Sequence, residues 1–392
     1  WAGNFQIFNG RAENPFGSLG LPPPPAAPAG EGFGCVDIPT HPGVRCDRFP
    51  VPISGVFTSG NLVTPYVQSW NLTLQRQITS DIMVQGSYLG KMGAKLAGWT
   101  NFNPAVYMDD PFTGAAPSLQ NVNNRVRYAP GIIAPNAIMV DSQYRSSYHS
   151  FQGQVIKRFG RGFSFSGAYT LAKSIDMMSS AVFSRLLDNP LDPRQNRGRS
   201  DFDRRHAFVT SWLWSPTWQF SRGWQNGMFA GWTFTGIHTV QSGAPFTVRM
   251  GDDVALDGAG SRQRAQLVPG AEVERSHSSR ADMIQQFFNT SAFVPTAQVP
   301  RGTYGNSGRN IISGPGLAHT NFSVMKDFRV TEDLKLQFRS EFFNLFNQVA
   351  LGCRETTGGC NDPDATVTSR TFGQIRSAGA PREIQFALKL LW

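Results

Sequence analysis

Ser200, Asp201, Asp203 and His206 crowd into the stretch SDFDRRH, the residue types that a hydrolase combines as nucleophile, acid and base. The chain has no G-x-S-x-G turn to raise a serine onto a sharp strand-to-helix corner, and GNSGRN lacks that spacing. If SDFDRRH is extended, Asp201, Asp203 and Arg205 point one way and Arg204 and His206 the other. That arrangement is a ladder of charge, and no catalytic residue is expected. The histidines at 41, 149, 206, 238, 277 and 319 show no HxH, HxxH or HExxH spacing, so no metal site is expected either.

GDDVALDGAGSRQR gathers Asp252, Asp253 and Asp257 in a Gly-rich segment, a composition that calcium favours. The D-x-[DN]-x-[DN]-G order and its closing Glu are missing, so a solvated loop is expected there. The four cysteines form two close pairs, Cys35 with Cys46 and Cys353 with Cys360, both in Gly-, Pro- and Asp-containing stretches. Local pairing of this kind fits loop-stapling disulfides in an oxidising compartment better than metal ligation. Nothing in the sequence calls for a cofactor.

Arginines supply the remaining chemistry. Arg125, Arg127, Arg145, Arg194, Arg197, Arg199, Arg204 and Arg205 lie in or beside long polar connections. A guanidinium recognises carboxylate and phosphate, so an anionic ligand or the phosphates of lipopolysaccharide are possible partners. The other reading is pairing with carboxylates of the lumen or loops. Arg125, Arg127, Arg197, Arg199, Arg204 and Arg205 are the candidates for ligand contact. The net charge of +9 is scattered and accompanied by no recognition motif, so nucleic acid is not expected.

The elements that must carry these residues are strands. Few charged residues, 40 Gly and 12% aromatics suit many strands and turns, and no apolar run approaches the roughly 20 residues of a membrane-spanning helix. Alternation marks about ten segments, beginning with YVQSWNLTLQRQI and SDIMVQGSYLGKM and ending with REIQFALKLLW. The later ones include SYHSFQGQVIKRF and GFSFSGAYTLAKSID, DFDRRHAFVTSWLW and FAGWTFTGIHTVQSG, AHTNFSVMKDFRV and DLKLQFRSEFFNLFN. FFNLFN would place Phe342 and Phe346 on one face and Phe343 and Leu345 on the other, an aromatic girdle or a packed rim position.

The connections alternate short and long, with the longest over about residues 243–316. Alternation itself does not say which face meets solvent. Long loops gathered at one end do favour an outer-membrane barrel, with short turns in the periplasm and long loops outside. In the last strand Ile384, Phe386, Leu388, Leu390 and Trp392 alternate with mostly polar residues, and the chain ends on the aromatic. Phe386, Leu388, Leu390 and Trp392 resemble the C-terminal signal read by the barrel assembly machinery.

Five stretches in order, SFQGQVIKRFGRGFSFSGAYTLAKSID, NRGRSDFDRRHAFVTSWLW, GWTFTGIHTVQSGAPFTV, GTYGNSGRNIISGPG and LQFRSEFFNLFN, resemble the C-terminal barrel region of the Oar-like TonB-dependent outer-membrane receptors. The resemblance implies an all-β fold, an antiparallel transmembrane β-barrel of which this chain supplies about ten C-terminal strands out of about 22. It also implies a plug and a TonB box lying ahead of the barrel. Residues 1–61 are then a loop and strand remnant on the extracellular side, and 62–392 the C-terminal part of the barrel. In that family the loop corresponding to GDDVALDGAGSRQR is often richer in Asp and Asn, which further weakens calcium binding here. The expected role is energised uptake through a longer protein in the bacterial outer membrane. Its partners would be outer-membrane lipid, the TonB complex through the missing N-terminal part, the barrel assembly machinery and an unknown extracellular ligand. A surface adhesion protein on the same scaffold is the alternative, and a soluble secreted β-protein a third.

Overall fold

The computed structural model describes residues 54–131, 133–179, 188–258, 260, 263–331, 334–352 and 363–392. The four cysteines lie outside the described residues, as do residues 1–53.

Thirteen strands are present among the described residues: β1 (Val56–Thr58), β2 (Tyr66–Gln77), β3 (Ile82–Asn101), β4 (Ile138–Gly160), β5 (Phe163–Asp176), β6 (Gly198–Arg199), β7 (His206–Trp214), β8 (Trp232–Gln241), β9 (Pro245–Phe246), β10 (Ile312–Ser313), β11 (Leu317–Arg329), β12 (Lys335–Phe343) and β13 (Glu383–Leu391). Two short helices, α1 (Gly223–Phe229) and α2 (Arg280–Gln285), lie between them. Nine strands form one antiparallel meander in the order β2-β3-β4-β5-β7-β8-β11-β12-β13, each neighbour in space being the next long strand in sequence. The one parallel pairing in the sheet is β1 beside the far end of β4. Strands β7, β8, β12 and β13 are 9 or 10 residues long. That length carries a tilted strand across about 30 Å of hydrocarbon. No described helix is long and apolar enough to do so.

Apart from register shifts in β3–β4 between Gly93 and Gly98 and in β4–β5 between Lys157 and Gly160, register assigns the side chains of the meander to one of two faces. Leu72, Tyr88, Phe151, Leu171 and His206 form one cross-strand row. Trp212, Gly236, Phe322, Phe342 and Ile384 form another on the same face. The opposite face carries Thr73, Ser87, Gln152, Thr170 and Ala207 in one row. Leu72, Leu74, Phe151, Ile384, Phe386 and Leu388 are exposed, so the apolar face is not folded onto a core. Such a surface is stable against hydrocarbon and unstable against water.

Each end of the apolar face is finished differently. At the short-turn end, Trp214 stacks on Phe234 at 5.4 Å and Trp218 meets Trp214 edge-on at 5.7 Å. Two lysines of the apolar face bend toward that end. Lys157 Nζ reaches Asp81 at 2.8 Å, and Lys326 Nζ donates to the Ala230 carbonyl while lying over the Trp232 and Phe328 rings. Lysines buried along their stems with the ammonium drawn to the boundary, among tryptophans, are the signature of a membrane interface. Away from that end the face becomes amphipathic, with Tyr88 paired to His149 and Tyr169 to His206.

The tight β4–β5 turn falls on Arg161 and Gly162. Both have positive φ (52° and 79°), as a two-residue hairpin of this hand requires. Glycine is the residue that fits at 162, where a Cβ would sit 2.3 Å from the Ser215 carbonyl oxygen. The turn between β7 and β8 is larger, holding α1 with Trp224, Met228 and Phe229 exposed.

Candidate functional site

The buried core lies in the long connections. Val248, Ala265, Phe288, Ala292, Phe293, Ile312 and Ala365 pack together, so the described residues of 242–316 fold against 363–375 as a cap at the long-connection end. The expectation of a solvated acidic loop is corrected here. Asp253 and Asp257 are buried and Asp252 alone is exposed. Gln263 Nε2 donates to Asp253 Oδ1 at 2.7 Å, the Gly258 N–H donates to Asp253 Oδ2, and the Tyr304 hydroxyl donates to Asp257 Oδ2 at 2.7 Å. Burial together with Asp257 holds the Tyr304 hydroxyl far above its ordinary pKa, fixing it as a donor. The two buried carboxylates are structural, and no group of metal-ligating side chains occurs among the described residues.

The expected charge ladder is also corrected. Residues 201–205 form a turn and β7 begins only at His206. Asp203 turns inward to accept from the Ser174 N–H at 2.8 Å and from Arg199 Nε at 2.9 Å. Ser200 is 0% exposed with its hydroxyl on Ser174, whereas the His206 ring meets Tyr169, so the two are not brought together. The β12 segment likewise ends at Phe343, because Asn344 takes a φ of 55° and breaks the alternation expected across FFNLFN.

GNSGRN, silent as a motif, supplies the clamp. Arg309 pairs with buried Asp176 and donates to the carbonyls of Gly198 and Arg199. Asn310 Nδ2 reaches the Arg199 carbonyl at 2.7 Å and Asp201 at 2.8 Å. A second clamp joins Asp188 to Arg249 at 3.0 Å and to Arg264 at 3.7 Å. Polar residues in a Gly-rich segment were the available signal, but their partners stand over a hundred positions away for Arg309.

The six candidate arginines therefore separate. Arg125 is 1% exposed, and its guanidinium donates to Asn121 Oδ1 and to the carbonyls of Val106, Ser118 and Leu256. That placement makes it a tie between connections rather than a ligand-facing group. Arg199 is held by Asp203 and Ser313. Arg204 is half-buried, and burial lowers its pKa, as does Arg199, with Asp203 opposing; its Nη1 has no hydrogen-bond partner. Arg127, Arg197 and Arg205 are exposed. Arg197 joins Arg194, Arg145 and Lys95 around a cleft of about 940 Å³ beside the far ends of β3, β4 and β5. Lys95 was not singled out in the sequence; it sits at φ 54° in the irregular stretch of β3 between Gly93 and Leu96.

The profile of a family described as "Outer membrane beta barrel domain" matches residues 5–385. No curated protein matches the chain. Among solved structures, the outer membrane transporter YddB from Escherichia coli is similar with a TM-score of 0.43 and 9% identity, over 87% of this chain and 34% of that one. The FpvAI–pyocin S2 complex is similar with a TM-score of 0.36 and 10% identity, over 83% of this chain and 26% of that one. This chain thus spans about a third and a quarter of the lengths of those two.

Proposed function

The chain belongs to the outer membrane β-barrel domain family and resides in the bacterial outer membrane, and from that premise we propose that it is the C-terminal wall of a TonB-dependent transporter of the Oar-like kind. The observation that carries this reading is the two-sided meander crowned by a tied cap. The apolar face meets lipid, and the Gln-, Ser- and Thr-rich face lines a lumen. The long-connection end then faces outside, where residues 62–392, the C-terminal part of the barrel, present the cap as a ligand-capture surface. Arg127, Arg204 and Arg205 are the basic groups available to a captured ligand, while Arg197 belongs to the cleft at the ends of β3, β4 and β5. The protein does no covalent chemistry in this reading: it binds, and a plug outside this chain couples release to the TonB complex. The remaining strands of the barrel come from the rest of the same protein, and Phe386, Leu388 and Leu390 on the edge strand β13, with Trp392 just after it, serve assembly.

Sequencing the encoding locus ahead of Trp1 tests the transporter reading. A plug with a TonB box is expected; a signal peptide directly ahead of Trp1 overturns it. Orientation has its own test. Arg127→Cys should react with a membrane-impermeant maleimide on intact cells, and labelling only after the outer membrane is permeabilised would place the cap in the periplasm.

A further inference from the structure

The basic cleft opens on the lipid side of the wall. Met92, Ser147 and Ile175 line it and are cross-strand partners in one row, which continues the apolar face. Arg145 is two residues further along β4 and hence on that same face. Tyr66, the first residue of β2, closes the cleft from the side. Above this apolar floor stand Lys95, Arg194 and Arg197. Among the described residues none of the four cationic side chains has an ion pair or a hydrogen bond. Of the two carboxylates on the cleft, Asp176 is held by Arg309 and Ser179, and Asp192 accepts from the Arg194 N–H, so four cations face one carboxylate that has no ion pair among the described residues.

Unpaired cations directly above an apolar face are a mismatch unless something anionic with hydrocarbon beneath it completes them. A loop-borne ligand would be met by cations facing the lumen or the cap, whereas these face the bilayer boundary. We propose that the cleft binds the phosphorylated headgroup of an outer-leaflet glycolipid, with acyl chains running down over Met92 and Ile175. Four cations around one cleft suit two phosphates better than the single phosphate of an ordinary phospholipid. The proposal rests on the reading that the cap end faces outside.

The test uses the full-length protein, purified in detergent and delipidated, with bisphosphorylated lipid A as the probe and native mass spectrometry as the readout. One lipid A is expected to remain bound. Arg145→Gln/Arg194→Gln/Arg197→Gln should lower the bound fraction about tenfold, because charge-assisted contacts to phosphate are lost. The corresponding triple Lys variant, which keeps the charge, should stay within about threefold of the parent. Arg76→Gln, near the short-turn end of β2, should change nothing. Single Arg→Gln variants serve if the triple variant misfolds. Equal binding of fully dephosphorylated lipid A, or undiminished binding by the triple Gln variant, overturns the phosphate clamp. Equal binding of phosphatidylglycerol overturns the choice of a bisphosphorylated lipid, and displacement by millimolar inorganic phosphate would show a soluble anion as the ligand. Failure of the maleimide orientation test would leave detergent binding intact, so the two readings fail separately.

Discussion

At the scale of single residues, burial and partner count separate arginines that look equivalent in sequence. Arg125 and Arg127 are two positions apart, yet one is enclosed by three carbonyls and an amide oxygen while the other lies exposed against the neighbouring Tyr128 ring. Arg125→Ala leaves those acceptors unsatisfied and is expected to cost about 3 kcal/mol of local stability. It should appear as faster trypsin cleavage after Arg127, the one site left between residues 102 and 137 of the purified protein. Arg127→Ala should stay within about 0.5 kcal/mol of the parent. Asp110 gives this connection a pH dependence. Burial opposes its ionisation, but Asn124 Nδ2 and the N–H groups of Phe112 and Thr113 outweigh that and hold its pKa below the ordinary value. A depressed folded pKa contributes stability that is present above about pH 3.9 and lost as the pH falls through the folded value. Hydrogen exchange across residues 110–125, corrected for intrinsic rates, should therefore rise between pH 5 and pH 3. Asp110→Asn should flatten that rise.

At the scale of elements, the wall is assembled from tryptophans laid over glycines. A Cβ on Gly236 would meet the Trp212 ring at 2.5 Å, and one on Gly90 would meet Trp70 at 2.3 Å. Each pair is a cross-strand partner on the lipid face, so the glycine removes a side chain where the partner's indole needs its space. Gly236→Val is expected to destabilise the strands by about 1–3 kcal/mol through overpacking. The urea midpoint of the heat-modifiable gel band should report it. In a Trp212→Ala background the same change should be nearly silent, and an undiminished effect there would show that the ring contact is not the cause. The alternation of these strands was legible in sequence because the side-chain period is two and one face meets lipid. Where the strands stop was not, since Asn344 at a positive φ and the inward turn of Asp203 interrupt patterns that read as continuous.

At the scale of the molecule, the meander has two open edges. β2 and β13 each pair on one side, and no pairing between them occurs among the described residues. Within hydrocarbon, an unpaired strand edge leaves a row of backbone donors and acceptors unsatisfied at several kcal/mol each. Residues 54–392 produced alone are therefore expected not to give a heat-modifiable band in detergent or to insert into liposomes, whereas the full-length protein should do both. A stable, inserted form of the isolated segment would mean that it closes or oligomerises by itself, and the many-stranded wall would have to be given up.

The class of wall is written in the residue pattern. Alternation of the kind seen in Leu72, Leu74, Phe386 and Leu388, together with connections that alternate in length, follows from local geometry and from which solvent each face meets. What the loops are depends on the folded arrangement. Arg309 finds Asp176 because the long connection between β8 and β11 lies over the end of β5, and Gln263 finds Asp253 and Tyr304 finds Asp257 because that connection folds back on itself. The same convergence leaves Lys95, Arg145, Arg194 and Arg197 facing an unfilled need for negative charge. Spacing along the chain cannot report which charge will be satisfied, since that depends on partners brought close by register across several strands.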